Sequence, residues 1–220
     1  MRALVVIADI IGSRRLEAGA RRAVQERILA LEAGPSFRVS GGDEFEWALP
    51  DAPASLDRVL RMRLALGIAR GPAPAVDLRC ALGRGEVVVT SDQGPYAEDG
   101  PAYHRARAAM DQLRAAPDRL RRSPSEPLAA GAPPVRWTAW VDAAPHPERD
   151  ALLLHMDRLI SRWSVPQRQA IHRVLDGATY EDVGQALGIS AQAVQGRLKA
   201  ADLALYLTGH RALKAAWERK

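Results

Sequence analysis

The chain has 220 residues, with 31 Lys and Arg against 26 Asp and Glu, giving a formal net charge of +5. That length admits two small domains, and 47% hydrophobic with 26% charged residues excludes disorder as the main theme. A single cysteine, Cys80, excludes an internal disulfide framework and a Cys-rich zinc site. No apolar run is long enough to span a bilayer, and the N-terminus has no cleavage-site pattern before Asp9. A cytoplasmic, non-membrane protein is therefore expected. The mild basic excess reflects either an Arg-rich composition or affinity for a polyanion. Cut in sequence it is nearly even: residues 1–145 hold 20 basic and 18 acidic residues, and residues 146–220 hold 11 and 8.

In chain order, a first strand is expected over Ala3–Ala8, apolar throughout and so central and buried on both faces. A helix follows, with Leu16, Ala20, Val24, Ile28 and Leu31 on one face and Gly34-Pro35 as its stop. Phe37–Val39, the turn Ser40-Gly41-Gly42-Asp43 and Glu44–Leu49 form a hairpin. Phe45, Trp47 and Leu49 alternate with Glu44 and Glu46, which predicts a half-exposed strand. A second helix runs about Ser55 to Ala69 with Ser55 as its N-cap. Strands Leu78–Leu82 and Glu86–Thr90 come next, then a third helix from about Pro101 to Leu113. Pro117–Pro134 reads as a hinge, and Val135–Val141 as a strand completing the first domain. The order β-α-β-β-α-β is the ferredoxin-like arrangement.

Asp9 ends the first strand and Asp43 tips the hairpin. In a ferredoxin-like sheet these strands are neighbours, so both carboxylates project from one end. Close carboxylates repel, and a hard divalent ion such as Mg²⁺ (or Mn²⁺) suits them as metal ligands. The backbone of Ile10, Ile11, Gly12 and Ser13 offers N–H groups for phosphate where the next helix begins, with Gly41 and Gly42 close by.

These segments resemble a family. Asp9-Ile10-Ile11-Gly12 is similar to the opening of class III nucleotidyl cyclase domains, Gly42-Asp43-Glu44-Phe45 to their hairpin, and Gly41–Phe45 to the GGDEF motif. Arg79–Val87 resembles the cyclase strand-turn-strand, and Gly100–His104 the start of the following helix. Within that superfamily the chain is identified as a member of the bacterial SatD family, through the Asp9-Ile10 start, Asp99–His104, and Trp163 and Gln167 ahead of a helix-turn-helix. The resemblance implies metal ligation by Asp9 and Asp43, with the Ile10 carbonyl as a third ligand. It also puts His104 where the cyclases place an Asn, Ala108 where they place an Arg, and Val39 where they read the purine. Arg105, Arg107 and His104 are the side chains left to take a catalytic role. Nucleotide binding with lost or altered catalysis follows, with an active nucleotidyl cyclase or transferase as the alternative.

Residues 147–220 are helical in pattern. Leu153, Met156, Leu159, Ile160 and Trp163 line one side of a helix. Thr179 caps a helix through Val183 and Leu187, Gly188 allows a tight turn, and Ser190 caps the next helix. Tyr180–Ser190 resembles the first helix and turn of sigma-factor region 4. Gln192, Gln195, Arg197 and Lys199 lie off the buried stripe and are the candidate DNA-binding residues. The expectation is thus an α+β protein. A ferredoxin-like nucleotide-cyclase-type domain would fill 1–142 and an all-α helix-turn-helix domain 147–220. The expected partners are a purine nucleotide, DNA and a second copy as a homodimer.

Overall fold

The computed structural model describes residues 1–32, 36–40, 42–89, 98–115 and 137–217. It is a mixed α and β protein, with eight α-helices and a mixed five-stranded sheet among the described residues. The strands are β1 (Arg2–Ile10), β2 (Phe37–Ser40), β3 (Glu44–Pro50), β4 (Leu78–Glu86), the short pair β5 (Val88–Val89) and β6 (Glu98–Asp99), and β7 (Thr138–Val141). The helices are α1 (Ala18–Leu31), α2 (Ser55–Leu66), α3 (Pro101–Ala115), α4 (Pro147–Arg162), α5 (Val165–Leu175), α6 (Tyr180–Leu187), α7 (Ala191–Ala200) and α8 (Leu203–Ala216). The chain divides into two compact units, and they are not its sequential halves. One comprises Met1–Ile10, Gly34–Ala52 and Leu78–Asp157; the other comprises Ile11–Ala33, Pro53–Asp77 and Arg158–Lys220. Helices α1 and α2, expected to lie with the strands in 1–142, therefore cluster with the C-terminal helices.

In the first unit the sheet order is β2-β3-β1-β4-β7. The first four strands are antiparallel to their neighbours, and β7 joins β4 in parallel. β1 is central, and every residue after Arg2 is buried, as its unbroken apolar run requires. α3 packs on β1, β4 and β7. Its Ala102, Ala106 and Ala109 meet Val5, Ile7 and Ala81 in one apolar cluster. The opposite face of the sheet holds Phe37, Phe45 and Trp47, whose ring centroids lie 5.5 to 5.8 Å apart.

Several local expectations give way to tertiary packing. The expected turn within Arg79–Val87 is absent, because β4 runs unbroken from Leu78 to Glu86. Gly83 serves close approach instead: a Cβ there would lie 2.2 Å from the Ala102 carbonyl oxygen of α3. Ser55 is not a cap either. It is buried in the first turn of α2, and Ala54 holds the N-cap position with no side-chain hydrogen bond. The Gly34-Pro35 stop and the hinge over Pro117–Pro134 lie outside the described residues.

The second unit is held by partly buried polar clamps as well as apolar contacts. Asp77 accepts from Arg63 Nε of α2 (3.3 Å) and Arg168 Nη2 of α5 (3.1 Å), while Arg168 also donates to the Trp163 and Ile160 carbonyls. Asp57 of α2 meets His210 Nε2 (2.7 Å) and accepts from Lys214 Nζ (2.6 Å), both of α8. Trp163 donates from Nε1 to the Ala201 carbonyl (2.7 Å) and meets Tyr206 edge to face. Local signals agree with the fold here. Ser164 with Gln167, and Thr179 with Asp182, form capping boxes, and Ser190 Oγ accepts from the Ala193 N–H.

The turn from α6 to α7 rests on Gly184, where a Cβ would stand 2.7 Å from the Ile189 carbonyl oxygen; at Gly196 a Cβ would meet nothing within 4 Å. Gly184→Ala should therefore cost about 1–3 kcal/mol, while Gly196→Ala should gain about 0.5–1 kcal/mol from helix propensity alone. Urea unfolding of the two variants beside the wild type checks both signs.

Candidate functional site

The sheet register builds a row of charge on the face toward α3. Asp9 of β1 pairs with Glu44 of β3 on one side and Arg79 of β4 on the other. Glu46 of β3 pairs with Arg38 of β2. Paired residues share a face, so Arg79, Asp9, Glu44, Glu46 and Arg38 stand on one side of four strands. Asp9 is 7% exposed, Glu44 9% and Glu46 7%. The expectation of a solvent face along Glu44 and Glu46 is thus corrected: α3 brings arginines onto that side.

Those arginines complete an alternating chain. Arg79 Nη1 lies 3.2 Å from Asp9 Oδ2, and Arg114 Nη2 lies 3.9 Å from the same oxygen. Arg114 Nη2 donates to Glu44 Oε2 at 2.6 Å. Arg107 donates to Glu44 (2.9 Å) and to Glu46 (2.7 Å), and Arg38 Nε donates to Glu46 (3.1 Å). Arg38 also lies over the Tyr103 ring at 5.1 Å, and the Tyr103 hydroxyl donates to Glu98 at 2.7 Å. Burial, then the bond to Glu98, pushes the Tyr103 phenol well up. Directly opposed carboxylates such as Asp9 and Glu44 repel, and the Arg114 guanidinium beside both offsets that repulsion.

The expected site residues distribute unevenly over this geometry. Asp9 and Asp43 are close enough that the charge of Asp43 acts on Asp9. Burial first, then Asp43, holds the Asp9 carboxyl above the ordinary carboxylate range, against the pull of Arg79 and Arg114. The Asp43 carbonyl accepts from the Ile10 N–H at 3.1 Å. Two of the four N–H groups expected to face phosphate are therefore already committed, because Ile11 N–H donates to the Asp77 carbonyl at 2.9 Å. Gly12 takes a left-handed conformation (φ 77°) and Ser13 is buried in a one-turn 3₁₀ segment. Gly42 has φ 88°, and Gly41 lies outside the described residues. His104 is exposed and pairs with Asp99 at 3.1 Å; Arg105 donates to the Arg84 carbonyl. Only Arg107 of that trio joins the carboxylate row.

Arg79, Arg114, Glu44 and Glu46 were not singled out as site residues in the sequence. Their signal is the spacing Tyr103, Arg107, Arg114 on one flank of α3 against two glutamates two residues apart on a strand. Among the described residues no group of three or more His, Cys, Asp or Glu is arranged to hold a metal ion. Two carboxylates and a carbonyl are nevertheless a donor set that fits Mg²⁺, which takes its other ligands from water and phosphate.

In the second unit Gln192, Gln195 and Lys199 are exposed on α7 and Arg197 is half-buried. At 3.6 residues per turn the first three fall within an arc of about 60°, while Arg197 points about 160° away from Lys199. The first three line one groove of about 920 Å³ and Arg197 does not. Charge also separates by unit. The second unit holds 19 Lys and Arg against 10 Asp and Glu, a net +9, and the first holds 12 against 16, a net −4. No helix among the described residues is long and apolar enough to cross a membrane. No protein-family model, curated protein or solved structure matches the chain.

Two measurements check the charge row. In a double-mutant cycle, Arg114→Met and Glu44→Gln should each destabilise and the pair should couple by about 1–2 kcal/mol, reduced from the buried-pair range because Arg114 is partly solvated; additivity would remove Arg114 from the row. For Asp9, the folded state retains a proton that the unfolded chain loses above about pH 4. Wild-type stability should then fall relative to Asp9→Asn as pH rises from about 4 toward 7, read as the difference between their melting temperatures. Parallel curves would contradict it.

Proposed function

We propose that the chain is a nucleotide-sensing, DNA-binding regulator. Its ferredoxin-like, cyclase-like part binds a purine nucleotide with Mg²⁺, and a helix-turn-helix of α6 and α7 binds DNA as a homodimer. The observation that carries this reading is charge. The unit containing α6 and α7 is +9 although the sequence from 146 onward is only +3, and a basic unit is the electrostatic footprint expected of a partner for a polyanion. The capped start of α7, with Gln192 and Gln195 exposed, supports base reading from the N-terminal half of a recognition helix. The sheet order β2-β3-β1-β4 with antiparallel neighbours supports the ferredoxin-like assignment.

On this reading Asp9, Asp43 and the Ile10 carbonyl hold the cation, which when bound neutralises nucleotide phosphates. Lost or altered catalysis is supported by His104, which faces Asp99 rather than the carboxylate row. A second reading, an active nucleotidyl cyclase, is favoured by one observation: Arg107 lies one residue from the expected arginine position and belongs to the row that contains Asp9.

Calorimetry should register purine triphosphate binding that requires Mg²⁺ and is lost in Asp43→Ala; silence with every triphosphate removes the sensor. Mass spectrometry after incubation with Mg²⁺ or Mn²⁺ should find no new product, and a cyclic or linked nucleotide that disappears in Asp43→Ala would install the second reading. Duplex DNA affinity should fall steeply with salt and weaken in Gln192→Ala/Gln195→Ala.

A further inference from the structure

The outward face of α7 has a composition that suits some base pairs and not others. Val194 and Leu198 are buried, which turns Gln192, Ala193, Gln195, Gly196, Lys199 and Ala200 outward, and all six are exposed. The polar side chains of this face are two amides and, in the last turn, one ammonium. Neither amide is bonded to another group among the described residues. Arg197, the arginine of this helix, is half-buried and lies about 140° round the helix from Gln192. Charge along the groove cancels, because Lys199 is its one cation and Asp202 its one anion. The +9 of the unit is therefore carried by residues outside the groove. Phosphate attraction falls to those residues, and the side chains of this face are left for base edges.

The major-groove edges of the bases differ in what they ask for. Guanine shows two acceptors, O6 and N7, which a guanidinium meets with donors alone. Adenine shows an acceptor at N7 and a donor at N6, and a carboxamide, with its own acceptor and donors, matches that pair. Thymine adds a methyl group that a small apolar side chain can touch. The face of α7 supplies two carboxamides and Ala193, and it supplies no arginine. Three residues apart, Gln192 and Gln195 are offset by about 4.5 Å along the axis, close to one base-pair step of about 3.4 Å. Gly196 stands beside Gln192 on this face, and a Cβ added there would meet nothing within 4 Å. A glycine inside a helix costs stability relative to alanine; here it leaves the backbone open to the close approach of a base edge.

We infer that α7 reads adjacent A·T base pairs in the major groove. Gln192 and Gln195 each hold an adenine through N6 and N7, Ala193 lies against a thymine methyl, and Lys199 holds a phosphate and reads no base. The inference rests on the DNA-binding reading above and adds base identity to it.

The full chain is mixed with a pool of duplexes carrying a randomised core, and the bound fraction is sequenced. Adjacent A·T pairs should be enriched. An enriched duplex should bind about tenfold or more tighter than the same duplex with those pairs changed to G·C. Replacing its adenines by 7-deazaadenine, which removes the major-groove acceptor N7 and leaves the minor groove untouched, should erase most of that margin. Gln192→Ala/Gln195→Ala should bind both duplexes equally, with unchanged circular dichroism because both positions are exposed. Lys199→Ala should weaken both duplexes alike. Enrichment of G·C pairs, a margin that survives 7-deazaadenine or the loss of both amides, or a margin that Lys199→Ala removes would each overturn the inference. Wild type that binds every duplex alike overturns it and leaves the DNA reading standing. Wild type that binds no duplex removes the DNA reading and the inference together.

Discussion

Two carboxylates placed directly opposite each other in the interior of a sheet impose a condition on everything around them. Asp9 and Glu44 are paired across β1 and β3 and both are buried. Left alone they would repel, and each would pay a desolvation cost of several kcal/mol in the ionised form. The unit answers with arginines from two directions: Arg79 from the neighbouring strand, and Arg107 and Arg114 from α3. The position of α3 is thus fixed twice, by its alanine face against Gly83 and the apolar residues of β1 and β4, and by its arginine flank against the glutamates of β3. The compensation is incomplete at Asp9, whose carboxyl stays above the ordinary range because of its burial first and the negative charge of Asp43 second.

What was legible in the sequence follows the range of the interaction involved. Caps and short turns depend on neighbours within three or four residues, so Thr179 and Ser190 were readable and behave as local chemistry requires. The apolar run of β1 was readable because burial on both faces leaves no alternation. Glu44 and Glu46 misled because alternation reports a polar face, not what covers it; α3, about 60 residues later, covers it with guanidinium groups. Gly83 and Gly85 misled for the same reason. A glycine at a turn and a glycine under a closely packed helix are identical in sequence, and only the position of Ala102 tells them apart. Of the candidate site, Asp9 and Asp43 were named from position alone, while Arg79 and Arg114, which act on Asp9, were not.

The charge of the chain shows the same limit at a larger scale. Counted along the sequence, +5 divides into two small and nearly equal parts, which leaves any polyanion binding to individually placed groups. Counted over the compact units it divides into −4 and +9. The difference comes from Arg-rich segments around α1 and α2, which fall between strands in sequence and group with the C-terminal helices in space. Sequential halves mix segments of both units and so average away the asymmetry that the fold creates.

The interleaving also sets where the chain crosses between the units. The chain passes from the first unit to the second one residue after Asp9's neighbour Ile10, and returns one residue before Arg79. The two residues on the far side of those crossings, Ile11 and Asp77, are joined by a 2.9 Å backbone hydrogen bond. The Asp77 carboxylate in turn holds Arg63 of α2 and Arg168 of α5, and α5 packs against α7. The backbone of β1 and β4, which carries Asp9 and Arg79, thus continues within two residues into Ile11 and Asp77.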